Sequence, residues 1–594
     1  MRERDLRTDL FLALCLALAI AFAYARALGG PFVFDDQTAI VGNETLRSLT
    51  PLSRVLQQPP DLTISGRPLV ALSLALNYAV GGLDPRGYRA TNAAIHWLAA
   101  LLLLGVVRRT LESPRLAARF GAHARGLAFA TALLFAVHPL ASEVVCYVSA
   151  RTESLMAVSY LGALYCAIRA RGAARPAGWV AAAVGSCALG MASKEVMVSA
   201  PLVVALHEIV FWGRAEGAKR RVRAATWLGL ALTWGLLAAL VLGAPRADSA
   251  GFSLWVTPSI YLANQARVLP RYLWLVLVPH PLVFDYGTPQ PIGLGDAWPG
   301  ALLLAGLLAL SLYSLWRWPA AGFVGIACFA ILAPSSSFVP VASEVGAERR
   351  MYLPLAALIA LGVTGAWSAF ARGRAPRFAP WLAGAAALAL GALAFARAGD
   401  YRSEVALWQS DVRAMPANQR AHYNLAKALE RAARIPEARA EMALAIRGEI
   451  DLYERVLPLQ PDPVRARVDL GAAHEVGGEP ERAEALYREA LERAPDDPYA
   501  LRRMALVLIR RGAADPGSVA RAREFAERAV TVTGRGDAAA LEALASVQLA
   551  AGDSGAASAT LREALAMDPR GQSPRVLERV RERLEQLESL PPRP

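Results

Sequence analysis

The sequence predicts an all-α protein with two parts: a polytopic membrane domain of about 11 crossings in residues 1–398 and a helical repeat domain in residues 399–594. Of the 594 residues, 55% are hydrophobic, and in the first part they form runs instead of alternating with polar residues. The chain has 34 basic and 19 acidic residues up to Gly399, but 29 and 31 beyond it. This composition excludes a disordered chain, a collagen-like fibre and a disulfide-rich fold.

Apolar runs recur through the first part, and an α-helix needs about 20 such residues to cross the ~30 Å hydrocarbon core of a bilayer. They lie near 9–28, 90–107, 127–146, 152–168, 178–193, 197–212, 225–243, 299–316, 319–334, 352–371 and 379–397. The first run has a basic start but no convincing cleavage site, which favours an uncleaved anchor. The stretches 68–80 and 255–283 are interrupted by Gly or by Arg and Pro, which suits interfacial or re-entrant helices.

Basic residues cluster in the short segments between these runs, and such loops remain cytoplasmic. They are Arg2, Arg4, Arg7, Arg108, Arg109, Arg115, Arg119, Arg125, Arg169, Arg171, Arg175, Arg214, Lys219, Arg220, Arg221, Arg223, Arg317, Arg372, Arg374 and Arg377. Eleven crossings would put all of them on one face, and residues 29–89 and the repeats on the outer face. The net charge of +13 is therefore a topology signal, and a nucleic-acid partner is not expected.

The second part repeats with the pattern of small and apolar residues that is typical of tetratricopeptide helix pairs. The matching positions are Leu425-Ala426, Leu429, Ala438, Met442 and Ala445; Leu470-Gly471, Ala483, Tyr487, Ala490 and Pro495; Met504-Ala505, Leu508, Ala522, Ala526 and Ala529; and Leu544-Ala545, Ala557, Leu561, Ala564 and Pro569. We predict about four repeats forming an α-solenoid, followed by a capping helix over 573–590. An unrelated Ala-rich bundle is the alternative.

Asp35 and Asp36 follow the first predicted membrane helix, within the string GGPFVFDDQ. Adjacent carboxylates in an apolar and aromatic context can raise one pKa, which makes a general base feasible near neutral pH. A solvated loop or a helix N-cap would explain the same pair, so this alternative stays open. Acidic pairs also suit Mg²⁺ or Mn²⁺, but no further carboxylate motif supports a metal site.

More charged and polar residues gather near the predicted outer ends of several helices. They are Arg67, His138, Glu143, Arg151, Glu153, Lys194, Glu195, Glu344, Glu348, Arg349, Arg350 and Tyr352. Charges near the bilayer are costly and tend to mark functional cavities, although a lone histidine or Lys-Glu pair is more often structural. Together they favour a cavity for an anionic, membrane-borne substrate, with carboxylates for a hydroxyl group and cations for a phosphate.

Five strings occur in order before the repeats: FVFDDQTAIVGN, GRPLVALSLALNYAVGGLDPRGYRATNAAIHW, LLFAVHPLASEVVCYVSARTESL, ASKEVMV and AERRMYLPL. In this order they closely resemble the transmembrane and tetratricopeptide-repeat protein O-mannosyltransferases. The resemblance implies a GT-C glycosyltransferase fold, an outer-face site and a polyprenyl-phosphate sugar as donor. It assigns the catalytic carboxylate to Asp35 or Asp36. The segment 279–287 follows the family only loosely, although Asp285 is kept, and the repeat array is shorter than in animal members.

From this resemblance we expect a glycosyltransferase that moves a sugar, mannose in the family, onto a Ser or Thr hydroxyl of a protein, with inversion. The cations expected at the donor phosphate are Arg349, Arg350, Arg67 and Lys194. No cofactor is certain, a divalent metal is left open, and the repeats would bind the acceptor polypeptide. Two alternatives are sugar transfer to a lipid or surface glycan, and a membrane-anchored scaffold without catalysis. The expected location is a bacterial inner membrane with periplasmic repeats, or an endoplasmic reticulum membrane with lumenal repeats.

Overall fold

The computed structural model describes residues 2–59, 62–213, 217–243, 256–337, 339–372, 378–459, 462–512, 515–567 and 572–589. Throughout these ranges the regular structure is helical and no β-strand occurs, so the all-α prediction is confirmed. The chain divides into two compact units, 1–416 and 417–594. Arg214, Arg374, Arg377 and Pro569, named above as loop or repeat positions, lie outside the described residues.

Each of the eleven predicted apolar runs coincides with a helix. The helices are Arg2–Tyr24, Pro85–Leu111, Ala124–Ala136, Arg151–Gly172, Pro176–Met191, Ala200–Trp212, Gly217–Gly243, Leu294–Arg317, Pro319–Leu332, Tyr352–Arg372 and Ala379–Ala398. The third run is broken: after Ala136 the chain bends by 56° into the turn Pro139–Ala141 and the short helix Ser142–Cys146. The two interrupted stretches form the helices Pro68–Gly81 and Pro258–Leu277.

The estimate of about 11 crossings exceeds what length and composition support. In the described residues, seven helices are long and apolar enough to span a membrane, or eight if the bent pair is one span. Pro176–Met191 and Pro319–Leu332 have 16 and 14 residues. At 1.5 Å per residue these helices reach about 24 and 21 Å, less than a bilayer core. These two runs are therefore of marginal length for a full span, and the number of crossings stays a prediction.

The first unit exposes apolar side chains along its long helices, as a surface in contact with lipid requires. Leu10, Phe11, Leu14, Leu18 and Phe22 on the first helix are all more than half exposed. Close approach between neighbouring helices depends on small residues. A Cβ on Gly322 would lie 2.3 Å from the backbone nitrogen of Leu315, so only glycine lets Leu294–Arg317 and Pro319–Leu332 pack this closely.

The remaining short elements of the first unit connect these helices. They are the π-helical turn Gln37–Val41, the 3₁₀ turns Ala25–Ala27, Glu44–Leu46, Gly121–His123, Val148–Ala150, Glu195–Ser199, Glu348–Met351 and Asp400–Arg402, and the helices Leu52–Leu56, Ala117–Phe120 and Glu404–Ala414. The last helix packs within the first unit, because Asp411 accepts hydrogen bonds from the amides of Phe284 and Asp285. The boundary between the two units therefore follows Pro416 instead of the predicted residue 398.

The second unit consists of four helix pairs and a final helix. The helices are Gln419–Arg431, Ile435–Val456, Pro463–Val476, Pro480–Arg493, Pro498–Gly512, Pro516–Val532, Ala538–Ala550, Ser554–Leu565 and Pro574–Glu588. A short turn at Leu457–Leu459 follows the second helix. The motif alanines form the core, as a helix pair that buries its face against neighbours requires: Ala483, Ala490, Ala505, Ala522 and Ala526 are fully buried.

Candidate active site

The acidic pair lies where the chain leaves the first membrane helix and turns back on itself. Arg89, buried in Pro85–Leu111, holds this segment by donating to the carbonyl oxygens of Gly30 and Pro31 and, at 2.8 Å, of Cys146. Only glycine fits at position 30, because a Cβ there would lie 1.9 Å from the carbonyl oxygen of Tyr401. The path of the chain into the acidic pair is therefore fixed by the surrounding helices.

Asp36 is fully buried, and both of its carboxylate oxygens are hydrogen-bonded. Oδ1 accepts from the amide (2.8 Å) and hydroxyl (2.6 Å) of Ser149, and Oδ2 accepts from the amide of Val33 (3.2 Å). Burial raises the pKa of Asp36 to about 6, although these hydrogen bonds and Arg89 oppose the rise. Asp36 thus joins the segment after the first helix to the turn at Val148–Ala150.

Asp35 is half-buried and therefore the more accessible carboxylate of the pair. Its side chain interacts with the buried hydroxyl of Tyr147, whose pKa is raised well above its ordinary value by burial and then by Asp35 and Asp36. The positive charge of Arg349 lowers the pKa of the same hydroxyl. The hydroxyl of Tyr147 is therefore within electrostatic range of the acidic pair and of Arg349, one of a group of cations. Two carboxylates in such different surroundings are suited to different roles.

Three partly exposed cations, Arg67, Lys194 and Arg349, make up this group, which we call the cation cluster. Their side chains are 12%, 13% and 18% exposed, so a ligand can reach them. Burial lowers the pKa of Lys194, its partner Glu153 opposes this shift, and the positive charges of Arg67 and Arg349 add to it, so both arginines are within electrostatic range of Lys194. An anion binding here would relieve the repulsion among them.

Each member of the cation cluster also has a carboxylate partner. Arg67 contacts Glu195 at 3.0 Å, and Lys194 is paired with Glu153. Arg349 contacts Glu143 at 2.5 Å and Glu344 at 2.6 Å, and its backbone amide donates to Glu143 at 2.9 Å. The fold thus pairs the predicted residues Arg67 with Glu195 and Arg349 with Glu143, and both arginines act electrostatically on Lys194.

The other predicted binding residues make internal contacts. Arg350 is 5% exposed and donates to Glu344 (3.2 Å), Ser335 (3.1 Å) and Tyr261 (3.3 Å). The Tyr352 hydroxyl is 2.6 Å from Nδ1 of His96. Because both residues are buried and hydrogen-bonded inside the protein, their position suits a structural role.

His138 and Arg151 are also engaged within the protein. In His138, Nδ1 accepts from the amide of Leu140 at 3.2 Å, so Nε2 carries the hydrogen and donates to the Val276 carbonyl at 3.2 Å. Arg151 is fully buried and donates to Asn92 (2.7 Å) and Asn77 (2.6 Å). Its remaining contacts in the described residues are also to neutral acceptors, and Asp36 is a nearby negative charge.

Sequence reasoning missed a group of aromatic residues beside the acidic pair. Phe284 lies at its centre, with its ring 5.0 Å from Tyr147, 5.5 Å from Trp408 and 6.0 Å from both Phe34 and Tyr401. The only sequence signal was Asp285 with its aromatic neighbours in the loosely matching segment. The aromatic residues of this cluster come from four distant parts of the chain, which no local pattern could bring together.

Glu348, predicted to bind substrate, instead holds this aromatic segment in place. Its carboxylate accepts from the amide of Val283 at 2.7 Å and from the hydroxyl of Tyr286 at 3.1 Å. In the described residues, no three His, Cys, Asp or Glu side chains are grouped so that they could hold a metal ion. In the described residues the acidic pair thus has no third such side chain grouped with it.

An apolar cavity of about 140 Å³ lies among five helices of the first unit. These are Pro85–Leu111, Arg151–Gly172, Ala200–Trp212, Pro319–Leu332 and Tyr352–Arg372. Its lining is mainly Leu, Val, Ala and Phe, with Thr110, Tyr160, His207 and Thr364 as the polar members. Leu353, also part of the lining, is only four residues from Arg349 in the chain. A cavity of this composition suits a hydrocarbon chain.

Comparisons with known proteins agree with these features. A tetratricopeptide repeat model matches residues 464–507. The chain is 29% identical over 475 residues to protein O-mannosyl-transferase TMTC4 of Mus musculus, covering 68% of this chain and 62% of that protein. It is 29% identical over 322 residues to protein O-mannosyl-transferase Tmtc1 of Drosophila melanogaster, covering 49% and 36%. The predicted resemblance to the transmembrane and tetratricopeptide-repeat O-mannosyltransferases is confirmed.

The chain matches less than two thirds of the length of these O-mannosyltransferases. Among solved structures, it is 16% identical to ArnT from Cupriavidus metallidurans bound to undecaprenyl phosphate, covering 86% of this chain and 88% of that one with a TM-score of 0.39. It is also 17% identical to MamA, covering 32% of this chain and 87% of that one, with a TM-score of 0.17.

Proposed function

We propose that the protein is a membrane glycosyltransferase that moves a sugar, mannose as in the named relatives, from a polyprenyl-phosphate donor to a hydroxyl group of a protein. The observation that carries this proposal is that one segment, residues 142–150, holds both kinds of group: Glu143 binds Arg349 at 2.5 Å, and the hydroxyl of Ser149 donates to Asp36 at 2.6 Å. A carboxylate for a hydroxyl and cations for a phosphate are thus within reach of one reaction centre. The names of the relatives supply the reaction type.

In this proposal Asp35 is the general base. Its carboxylate takes the proton of the acceptor hydroxyl, and the acceptor oxygen forms a bond to the anomeric carbon of the sugar. The bond between that carbon and the phosphate oxygen breaks, and the phosphate keeps the electron pair. Attack from the side opposite the leaving phosphate inverts the configuration. Asp36, with both oxygens already hydrogen-bonded, holds the backbone that carries Asp35.

The cation cluster would stabilise the negative charge that develops on the leaving phosphate. Arg349 can present a planar pair of donors to phosphate oxygens, and Lys194 and Arg67 add positive charge. The carboxylates of Glu143, Glu153 and Glu195 balance these cations before the donor binds. The isoprenoid chain of the donor would occupy the apolar cavity.

The repeats would bind the acceptor polypeptide, which raises its local concentration at the site. This arrangement requires the acidic pair and the repeats to be on the outer face of the membrane. We therefore propose a bacterial inner membrane protein with periplasmic repeats. Sugar transfer to a lipid or surface glycan would use the same donor chemistry, and mass spectrometry of membrane lipids and secreted proteins from a deletion strain distinguishes the two acceptors.

The direct test replaces Asp35 and Asp36 separately by Asn in the purified full-length protein and measures transfer from polyprenyl-phosphate mannose. We expect D35N to lose activity by about 100-fold or more, the range of general-base catalysis, with an unchanged melting temperature. D36N should lose both activity and stability, because the Asn amide would face the Val33 N–H. Asp84, an exposed helix cap in the same outer segment, provides the control D84N. Full activity in D35N would overturn the assignment of the base, and full activity in both variants would overturn the proposal.

A further inference from the structure

Three consecutive amides donate to two buried carboxylates that come from distant parts of the chain. The amide of Val283 donates to Glu348 at 2.7 Å, and those of Phe284 and Asp285 donate to the two oxygens of Asp411 at 2.7 and 2.8 Å. Glu348 and Asp411 are 2% and 0% exposed. Burying a carboxylate is costly, and here each one fixes the backbone of the same short loop.

Arg397 supplies the positive charge next to these carboxylates. It interacts electrostatically with both Glu348 and Asp411, and it donates to Asp400 at 3.0 Å and Ser410 at 2.9 Å. Burial nevertheless raises the pKa of Asp411 to about 7. The loop is held at its other end too, because the amide of Val345 donates to the carbonyl of Gly287 at 3.0 Å.

The loop places the Phe284 ring against the residue that precedes the proposed base. Phe34 contacts the rings of Phe284 and Trp408, with centroids 6.0 and 5.6 Å away. Its backbone has a φ of 51°, a left-handed conformation that non-glycine residues rarely adopt. Such a conformation is strained and persists only where the surroundings enforce it. Phe284 and Trp408 are the large aromatic side chains that pack on Phe34 in this conformation.

We propose that Asp411 is a positioning residue for the acidic pair. Asp411 fixes the backbone of Phe284, and its own helix carries Trp408; these two rings keep Phe34 in its left-handed conformation and so direct Asp35 towards the acceptor hydroxyl. Phe284 also packs on Tyr147, the neighbour of Asp35, so one loop orders both sides of the carboxylate. We call the effect of Asp411 on the conformation around Phe34 the mechanical part of the proposal, and its effect on sugar transfer the catalytic part. Only the catalytic part rests on the proposed function.

The mechanical part is tested by hydrogen–deuterium exchange on the full-length protein. In D411N, one of the two acceptor oxygens becomes an N–H group facing a backbone N–H. We expect faster exchange in residues 282–287 and, through the aromatic contacts, in residues 31–37. The control is E208Q, which removes another buried carboxylate, paired with Arg171 and Trp227 but not in contact with the loop. Unchanged exchange of residues 31–37 in D411N would overturn the proposal whatever the substrate.

The catalytic part is tested by the kinetics of the same variants. Because misplacement of a reacting group by 1 Å can cost about 100-fold, we expect D411N to lower kcat by 10- to 100-fold with little change in the KM for the donor. E208Q should leave both constants near those of the wild type. A D411N variant that is destabilised but retains kcat would show a purely structural role and overturn the proposal.

A double-mutant cycle tests whether Asp411 acts through Phe34. If it does, the double variant D411N/F34A should lower kcat no more than the more damaging of the two single variants. If the two residues act independently, the fold reductions in kcat of the single variants would multiply in the double variant. Multiplying effects would overturn the proposed connection. D35N separates the two hypotheses: an inactive D35N with a fully active D411N leaves the proposed function standing and removes only the positioning role, while an active D35N removes the proposed base.

Discussion

At the scale of single residues, the cations of the proposed phosphate site differ in what their removal would leave behind. Arg67 is paired with Glu195, whose side chain is 40% exposed, whereas Arg349 is paired with Glu143, which is 3% exposed. An exposed carboxylate that loses its partner turns to water at little cost. A buried one that loses its partner destabilises the protein by about 3–5 kcal/mol.

This contrast predicts separate effects on activity and stability. R67Q should raise the KM for the polyprenyl-phosphate donor several-fold and leave the melting temperature unchanged. R349Q should impair transfer more strongly and also lower the melting temperature by several degrees, because Glu143 is left buried and unpaired. Donor titrations and thermal unfolding in detergent measure both effects. Equal loss of stability in the two variants would contradict this assignment of the pairs.

Residue roles were only partly predictable from the sequence. The strings that carry Asp35, Lys194 and Arg349 were recognisable, and the fold brings the last two together with Arg67. The sequence could not distinguish these from Arg151 and Arg350, which also lie near helix ends but are buried against internal acceptors. Burial of a long cationic side chain depends on which helices pack around it, and no local pattern encodes that.

At the scale of secondary-structure elements, hydrophobic runs located the long helices of the first unit except Pro258–Leu277, which lies in an interrupted stretch, but they did not show the roles of these helices. A hydrophobic run shows that a helix is apolar. Whether the helix can cross the bilayer depends on its length, and therefore on where it begins and ends. The role of Glu404–Ala414 was not predictable, because Asp411 acts on amides more than 100 residues earlier in the chain. Its sequence suggested the start of the repeats, yet the helix belongs to the first unit.

The apolar cavity gives an element-scale prediction. Ala327, on Pro319–Leu332, lines the cavity and is 3% exposed. A327F should therefore obstruct it and raise the KM for a long-chain polyprenyl donor about 10-fold or more, while a donor with a short isoprenoid chain is used as before. Ala386, on the exposed face of Ala379–Ala398, provides the control A386F. An equal loss for both chain lengths in A327F would show that the cavity does not hold the chain.

At the scale of the whole molecule, the charge distribution predicts the sidedness of the protein. The first unit has an excess of basic residues that is concentrated in the loops between its long helices, whereas the repeats are nearly balanced. Positive loops stay in the cytoplasm, so the loop around Arg115 and Arg119 should be cytoplasmic. An odd number of crossings, seven or eleven, then places the start of the chain and the repeats on opposite faces. Eight crossings would place them on the same face, and the repeats could not reach an outer-face site.

Alkaline phosphatase fusions decide between these topologies, because this reporter folds only in the oxidising periplasm. A fusion after Pro594 should be active, and a fusion inserted after Arg119 should be inactive. A fusion after Gly82, in the segment that follows the acidic pair, should be active like the C-terminal one. If instead the fusion after Pro594 were inactive while that after Gly82 was active, the repeats would be cytoplasmic. They could not then deliver an acceptor to Asp35, and transfer to a lipid or surface glycan would become the better hypothesis.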